Sequence, residues 1–269
     1  MKPKIILTFD IENWFDSRFL EKYLKDPAAL NSCIEESIEL ILNKLNRHQA
    51  TATFFILGKI AAKHPETIKK IYQSGHEIAS HGYSHKYLEN LSPEDFEKEI
   101  KETNHLLADL TGTSPKGFRA PAFSLNQKTS WALKILKENG FQYDSSLFPI
   151  NIGLYGDQLG RLAIPEGLIE LPVAVYHKSF FKLPLAGGVY FRFLPYWIFR
   201  FFLRLMAKKE IPVIYFHNHE LLPVKIAIPG CPFWKKWLKF KGVKNNYKKF
   251  EKLLQDFDCL SIKDSMSNK

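Results

Sequence analysis

The strongest chemical signal in the chain is a pair of carboxylates and a pair of histidines. Asp10 and Glu12 stand two positions apart in LTFDIENWF, where the apolar run Ile5, Ile6, Leu7, Phe9 stops abruptly. His81 and His85 in SHGYSH are four positions apart, a spacing that puts both imidazoles on one face if the segment forms a helical turn. Two imidazoles and one carboxylate, with coordination positions left for water, make a catalytic zinc-type donor set. Such a metal lowers the pKa of water and polarises a carbonyl. A second carboxylate beside it is suited to take the water's proton. Further along stand Arg119, Asp144 and the pair His217 and His219. On a strand, residues 217 and 219 point to the same side, so either histidine can face a pocket.

These groups need elements that bring them together, and the hydrophobic pattern supplies them. Residues 4–9 read as a buried strand, TATFFILG (51–58) as a second, and HEIASH as a third that ends at His81. GFRAPAF, FQYDSS and LIELPVAV read as further strands, and PVIYFHNHE (212–220) as a late one. Between them, Ile34, Ile38, Ile41, Leu42 and Leu45 share a helical face behind a Ser32 cap. PETIKKIYQSG reads as a helix closed by Gly75, and Ser92-Pro93 opens another that runs to about Leu110. KTSWALKILKENG, residues 195–208 and residues 245–256 complete the helices, the last of these being the final one. Strands alternating with helices indicate an α/β fold. Strand after strand ends in a polar group: Asp10 and Glu12, His81 and His85, Arg119, Asp144, His217 and His219. Ligands of barrels and open α/β sheets bind at the carboxyl ends of the strands, so these groups are expected to converge.

Composition sets the bounds. The chain has 269 residues, of which 45% are hydrophobic, enough for a sizeable core and inconsistent with disorder. Its 38 Lys and Arg against 28 Asp and Glu give a formal charge of +10. That balance fits either an anionic partner or a solvated basic surface. Cys33, Cys231 and Cys259 are odd in number and widely spaced, which argues against a disulfide framework or a thiolate zinc site. The first 15 residues lack a signal-peptide pattern, and no stretch approaches the length of a membrane span. A cytoplasmic location, or a peripheral one at the inner face of a membrane, is the expectation. Nucleic acid is not an expected partner, because no recognition motif accompanies the charge.

The order TFD, ATFFILG, GHEIASHGYSH, FRAP, YDSS, YFH resembles the polysaccharide deacetylases of carbohydrate esterase family 4, the NodB-homology domain, over roughly residues 4–220. DIENWF, FRAPAFS, YDSSLFP, GGVYFRFLPYW and YFHNHEL resemble most the branch associated with exopolysaccharide synthesis, whose first motif reads D-V-E-D-Y/W-F. The resemblance implies a distorted (β/α) barrel of about seven strands over residues 1–220, with residues 221–269 as a basic-aromatic extension packed on the same domain. It implies Asp10 as general base, Arg119 as the partner of that carboxylate, and His81 and His85 as metal ligands. It implies His217 as general acid, Asp144 as the group that buttresses it, and a backbone N–H at Ala122 as oxyanion donor. The implied cofactor is a divalent metal, zinc or another transition ion, and the implied substrate an N-acetylated glycan in a surface polysaccharide or its lipid-linked precursor.

The sequence departs from the family pattern in ways that bear on the site. Ile11 stands where the commoner T-F-D-D motif has its metal-binding Asp. Glu12 is the substitute ligand, with the Asn13 amide as the weaker alternative. Ala122 and Phe123 follow the FRAP proline where an aromatic is usual, Phe148 replaces a tryptophan as an apolar wall, and Asn218 replaces an Asp after His217. Tyr190 and Arg192 follow two glycines, which would let backbone approach a ligand closely, and they join Phe123 and Phe148 as candidate pocket residues. His64 and His76 carry no motif support and read as structural, and Trp14 and Phe15 as core or pocket wall. Two basic-aromatic stretches, PYWIFRFFLRLMAKK and FWKKWLKFKG, suit either an outer barrel helix or an anionic membrane surface. The rival functions are hydrolysis of a small amide or imide by the same fold, and a degenerate glycan- or membrane-binding module.

Overall fold

The computed structural model describes residues 2–16, 20–24, 30, 32–150, 162–222, 228 and 230–267. The first strand, β1 (Lys4–Ile11), is buried at every position but its first, as expected of a parallel strand covered on both faces. Helix α1 (Ile34–Arg47) buries Ile34, Ile38, Ile41, Leu42 and Leu45 on the face read from the sequence, and the Ser32 hydroxyl accepts the Ile34 N–H at 3.3 Å. Then come β2 (Thr53–Ile56), α2 (Gly58–Lys63), α3 (Pro65–Gln73) and β3 (Glu77–Ser80). Helix α4 (Pro93–Thr111) opens on Ser92, whose hydroxyl accepts the Asp95 N–H, and closes on Gly112 in the left-handed region.

Four short strands and a helix follow: β4 (Gly117–Phe118), α5 (Trp131–Glu138), β5 (Tyr143–Asp144), β6 (Ile169–Glu170) and β7 (Val175–Lys178). β8 (Phe181–Pro184) pairs with β7 as a separate antiparallel hairpin. α6 (Gly188–Phe193), α7 (Tyr196–Ala207) and β9 (Val213–His217) lead to α8 (Phe233–Phe240) and α9 (Val243–Asp256). The chain ends in β10 (Asp258–Leu260) and α10 (Ile262–Ser267).

The main sheet is parallel throughout and runs β9-β1-β2-β3-β4-β5-β6, seven strands that curl into a half-barrel. Beyond β6, Val173 makes a single parallel bridge to Val213 of β9, so the two ends meet at one point. β10 pairs with residues 4–6 of β1 and β2 pairs with residues 8–11, while β9 spans residues 6–10. β10 and β2 therefore share one edge of β1, end to end, and β9 takes the other. The region after residue 220 thus contributes a strand to the sheet.

Several segments differ from the sequence expectation, among them LIELPVAV, which is split between β6 and β7. GFRAPAF is a strand only over Gly117–Phe118, because Pro121 cannot continue a ladder and the chain turns through a 3-10 segment at Pro121–Phe123. PVIYFHNHE leaves the sheet after His217 and enters a 3-10 turn at Asn218–Leu221. The helix expected over 245–256 starts at Val243 and is followed by β10 and α10, which rest on a short apolar run in DCLSI. Among the described residues no helix is long and apolar enough to cross a membrane.

Candidate active site

The register of the sheet sets the site. Asp10 lies level with His217 across β1 and β9, Ser80 level with Phe118, and Phe118 level with Asp144. The residues at or just past these strand ends therefore share the carboxyl rim of the barrel.

Asp10 is buried, and the Arg119 guanidinium donates to its Oδ1 at 2.7 Å. Arg119 is wholly enclosed. It also donates to Thr8 Oγ1 at 2.8 Å, to the Ser145 carbonyl at 3.0 Å and to Ser145 Oγ at 2.9 Å, and it lies 4.1 Å over the Phe55 ring. Four donated bonds satisfy a cation that would otherwise be too costly to bury.

Ligand atoms of Glu12, His81 and His85 all lie within 4.8 Å of one another. Among them, His85 Nε2 stands 2.8 Å from Glu12 Oε2. His81 Nδ1 meets the Arg119 carbonyl at 2.7 Å, which fixes the proton there and leaves Nε2 as the lone-pair nitrogen. Burial pushes the His81 pKa down to about 4, so the ring is neutral as a ligand must be. Burial pushes the Glu12 carboxyl up, yet His217 and His85 outweigh it and hold the group well below the usual carboxylate range. One ionised carboxylate and two imidazoles, one of them with its tautomer set by a backbone carbonyl, fit a divalent metal. The expected helical turn between the histidines is absent: His81 follows β3, and the chain passes through left-handed Gly82 and His85. The loop, not a helix, brings the rings together.

His217 Nε2 lies 3.6 Å from Glu12 Oε1, and its Nδ1 lies 3.3 Å from Glu220 Oε2. Burial disfavours its charge, but Glu12, Glu220 and Asp10 together raise its pKa to about 9. His219 is buried and stacks on the His217 ring at 5.3 Å, and burial holds its pKa well below the ordinary value. The two histidines therefore differ in kind: one is a held cation and the other a neutral ring.

A protein-family model for polysaccharide deacetylase matches residues 1–143. The chain belongs to the polysaccharide deacetylase family. The deacetylases among its relatives are hydrolases of non-peptide amide carbon–nitrogen bonds. A second model, described as a domain of unknown function (DUF3473), matches residues 145–267. The chain is 39% identical over 93 residues to a peptidoglycan-N-acetylglucosamine deacetylase of Bacillus cereus, covering 34% of each protein. It is 32% identical over 155 residues to a peptidoglycan deacetylase of Helicobacter pylori, covering 58% of this chain and 50% of that one. It thus spans half or less of the length of these curated relatives. The fold matches a crystal structure from Mycobacterium smegmatis described as a putative polysaccharide deacetylase. The TM-score is 0.59 at 23% identity, covering 96% of this chain and 86% of that one.

Within this deacetylase frame, several expected positions acquire different partners. Asp144 does not contact His217 among the described contacts. Its Oδ1 accepts from Ser146 Oγ at 2.6 Å, and that hydroxyl accepts the Ala120 N–H at 2.7 Å. Asp144 therefore braces the turn after Arg119. Burial raises its pKa and that of the neighbouring Glu170. In that turn Ala122 and Phe123 both have left-handed backbone, at φ 52° and 49°, a conformation that costs a non-glycine residue about 1–3 kcal/mol.

Arg192 does not line a pocket. Its side chain is buried 3.7 Å from Glu220. The two glycines before it pack closely on neighbouring side chains: Gly187 has φ 96° and a Cβ there would sit 2.7 Å from the Tyr215 hydroxyl, and a Cβ on Gly188 would sit 2.0 Å from Glu220 Oε2. Gly188 lets backbone approach Glu220. Phe123, Phe148, Tyr190 and Tyr215 do form one aromatic wall, with centroids 4.8–6.3 Å apart along it, and Tyr215 reaches the His217 ring at 5.6 Å. Phe148 is fully buried within it, and Tyr190 is half-buried. Asn13 donates through its backbone and amide nitrogens to Asp16 Oδ2, and Glu12 is the carboxylate that groups with the two histidines.

Three contributors were given no role from the sequence. Asn218 accepts the Glu12 N–H at 3.1 Å and donates to Ser37 Oγ at 2.8 Å, so it fixes the backbone that carries Glu12. Its signal was the Asn after His217 where an Asp is common. Glu220 is the carboxylate behind His217. Lys239 of α8 is pushed down by burial and drawn up by Glu12 and Glu220, which brings the charge of the C-terminal region to the site.

Proposed function

We propose that the protein is a metal-dependent N-deacetylase that hydrolyses the acetamide of N-acetylhexosamine units, in a surface polysaccharide or its lipid-linked precursor, and releases acetate. The observation that carries this reading is the grouping of three functions on one rim: the Glu12, His81 and His85 donors, the Asp10–Arg119 pair and the His217 cation. Glu12, His81 and His85 would hold the ion, for which zinc suits the donor set. A bound divalent cation supplies Lewis acidity toward the acetamide carbonyl and the attacking water.

The chain's own residues do the rest. Asp10 takes a proton from the attacking water, whose oxygen bonds to the acetamide carbon. Arg119 orients that carboxylate by donating to its Oδ1. A backbone N–H of the Ala122 turn donates to the developing oxyanion. His217 gives its proton to the amine nitrogen as the carbon–nitrogen bond breaks, and Glu220 steadies the cation beforehand. Tyr190, the half-buried end of the aromatic wall backed by Phe148 and Phe123, flanks the sugar.

The test is Asp10→Asn. It should lower acetate release from an N-acetylated glycan by about 10²–10⁴-fold while the bound metal stays stoichiometric. Full activity in that variant would sink the mechanism. Turnover of small amides with none of acetylated sugars would keep the chemistry and reject the substrate class.

A further inference from the structure

From Leu171 to Lys209 the chain carries seven Lys or Arg and not one Asp or Glu. With 28 acidic residues in 269, about four would be expected over that length. This segment holds the β7–β8 hairpin and α7, and its surface is aromatic. Phe180, at the hairpin tip, is 105% exposed, and Phe181 beside it is half-exposed. On α7, Trp197 is 72% and Phe201 55% exposed.

These side chains belong to one surface. Tyr176 of β7 and Phe181 of β8 pack on Phe202 of α7, with centroids 4.7 and 5.9 Å apart. The hairpin is thus braced against the helix. Trp197 and Phe201 are one turn apart on α7, and Arg204 and Lys208 continue the same stripe at 100° per residue. The opposite side of α7 is anchored by Phe199, which is wholly buried. Lys178 and Lys182 are exposed on either side of the Phe180–Phe181 tip. Arg200 and Arg204 share the single carboxylate of Asp256, at 3.4 and 3.5 Å, so a net positive charge remains there.

We propose that the hairpin tip and the exposed stripe of α7 form a docking surface for an anionic lipid bilayer. Phe180 and Phe181 would enter the headgroup–acyl boundary, Trp197 and Phe201 would lie along it, and Lys178 and Lys182 would meet lipid phosphates. The chemistry of the tip favours a bilayer over a soluble anionic polymer. Phenylalanine has no polar handle, and a ring that protrudes without a wall beside it has nothing against which to clamp a sugar or a base. A protruding apolar wedge flanked by lysines is what an interfacial anchor needs. The surface is independent of the deacetylase reading, and its test does not use activity.

The experiment is flotation of the full chain with vesicles of phosphatidylcholine alone or with about 30 mol % phosphatidylglycerol. The protein should float with the anionic vesicles and lose most of that binding at about 1 M salt, where the Debye length is about 3 Å. The double variant Phe180→Ser with Trp197→Ser should bind about tenfold more weakly. Its circular dichroism and urea midpoint should match the parent, since both side chains are mostly in solvent. Lys178→Glu with Lys182→Glu should weaken binding to anionic vesicles selectively. Failure to float, equal binding to neutral vesicles, or unchanged binding by the aromatic variant would overturn the proposal. So would self-association or retention of a soluble anionic polysaccharide, in place of vesicle binding, that depends on Phe180.

Discussion

His217 Nδ1 lies 3.3 Å from Glu220 Oε2, and the same carboxylate oxygen accepts the His217 backbone N–H at 3.0 Å. One side chain thus holds both the ring and the strand end that carries it. Arg192 stands 3.7 Å away on the far side, and Gly188 leaves room for the carboxylate. The family resemblance gave Asp144 the task of steadying this histidine. In this chain Glu220 does it, from three residues downstream on the turn that ends β9.

In the proposed mechanism, Glu220 joins Glu12 in setting the alkaline limit of activity. As the proposed proton donor His217 would have to be protonated, and its pKa is raised to about 9. Activity should be lost as pH rises through that value. Glu220→Gln removes one of the three carboxylates that raise it, so the alkaline limb of kcat/KM should move to lower pH. The check is a pH–rate profile of the two proteins. An unmoved limb would separate Glu220 from the proton donor.

Asn218→Ala should loosen the donor set without touching a donor. Asn218 bridges the Glu12 N–H and Ser37 Oγ across the base of α1. Supporting contacts of this type are worth about 10–100-fold in metal affinity. Competition titration against a fluorescent chelator measures it directly, and an unchanged affinity would show that β1 alone positions Glu12.

Arg119→Met should destabilise the fold as well as stop turnover. It would leave the Asp10 carboxylate buried without its cation, a loss of about 3–5 kcal/mol. It would also leave the Thr8 and Ser145 oxygens without their donor. Urea unfolding reads the loss. A variant as stable as the parent would mean that Asp10 is rehydrated when the guanidinium goes.

Much of this architecture could be read in advance, and the reasons differ between elements. The buried strand β1 and the helix α1 follow from apolar period, and α4 from period and its Ser92 cap, which are local properties; the N-cap of α1 itself is Cys33, not the expected Ser32. Convergence of Asp10, His81, Arg119 and His217 follows from their common place at strand ends. Contacts set by distant chain were not legible in that way. Asp144 turned to Ser146, and Arg192 to Glu220, because each buried charge takes the partner its burial offers, and sequence spacing does not report burial. The close approach of His81 and His85 was right in outcome and different in cause: left-handed Gly82 and His85 bend the loop that a helical spacing had suggested. β10 was missed because three residues carry too short a pattern, and its pairing with β1 joins positions more than 250 residues apart.

The central claim is that one metal-holding rim cleaves the acetamide of a glycan. Acetate release from an N-acetylglucosamine oligomer measures it most directly, with the protein as purified, after chelation, and after reloading with zinc. The account predicts release by the purified protein, loss on chelation and recovery with zinc, with Glu12→Ala inactive in all three states. Undiminished release after the metal has been stripped would contradict it.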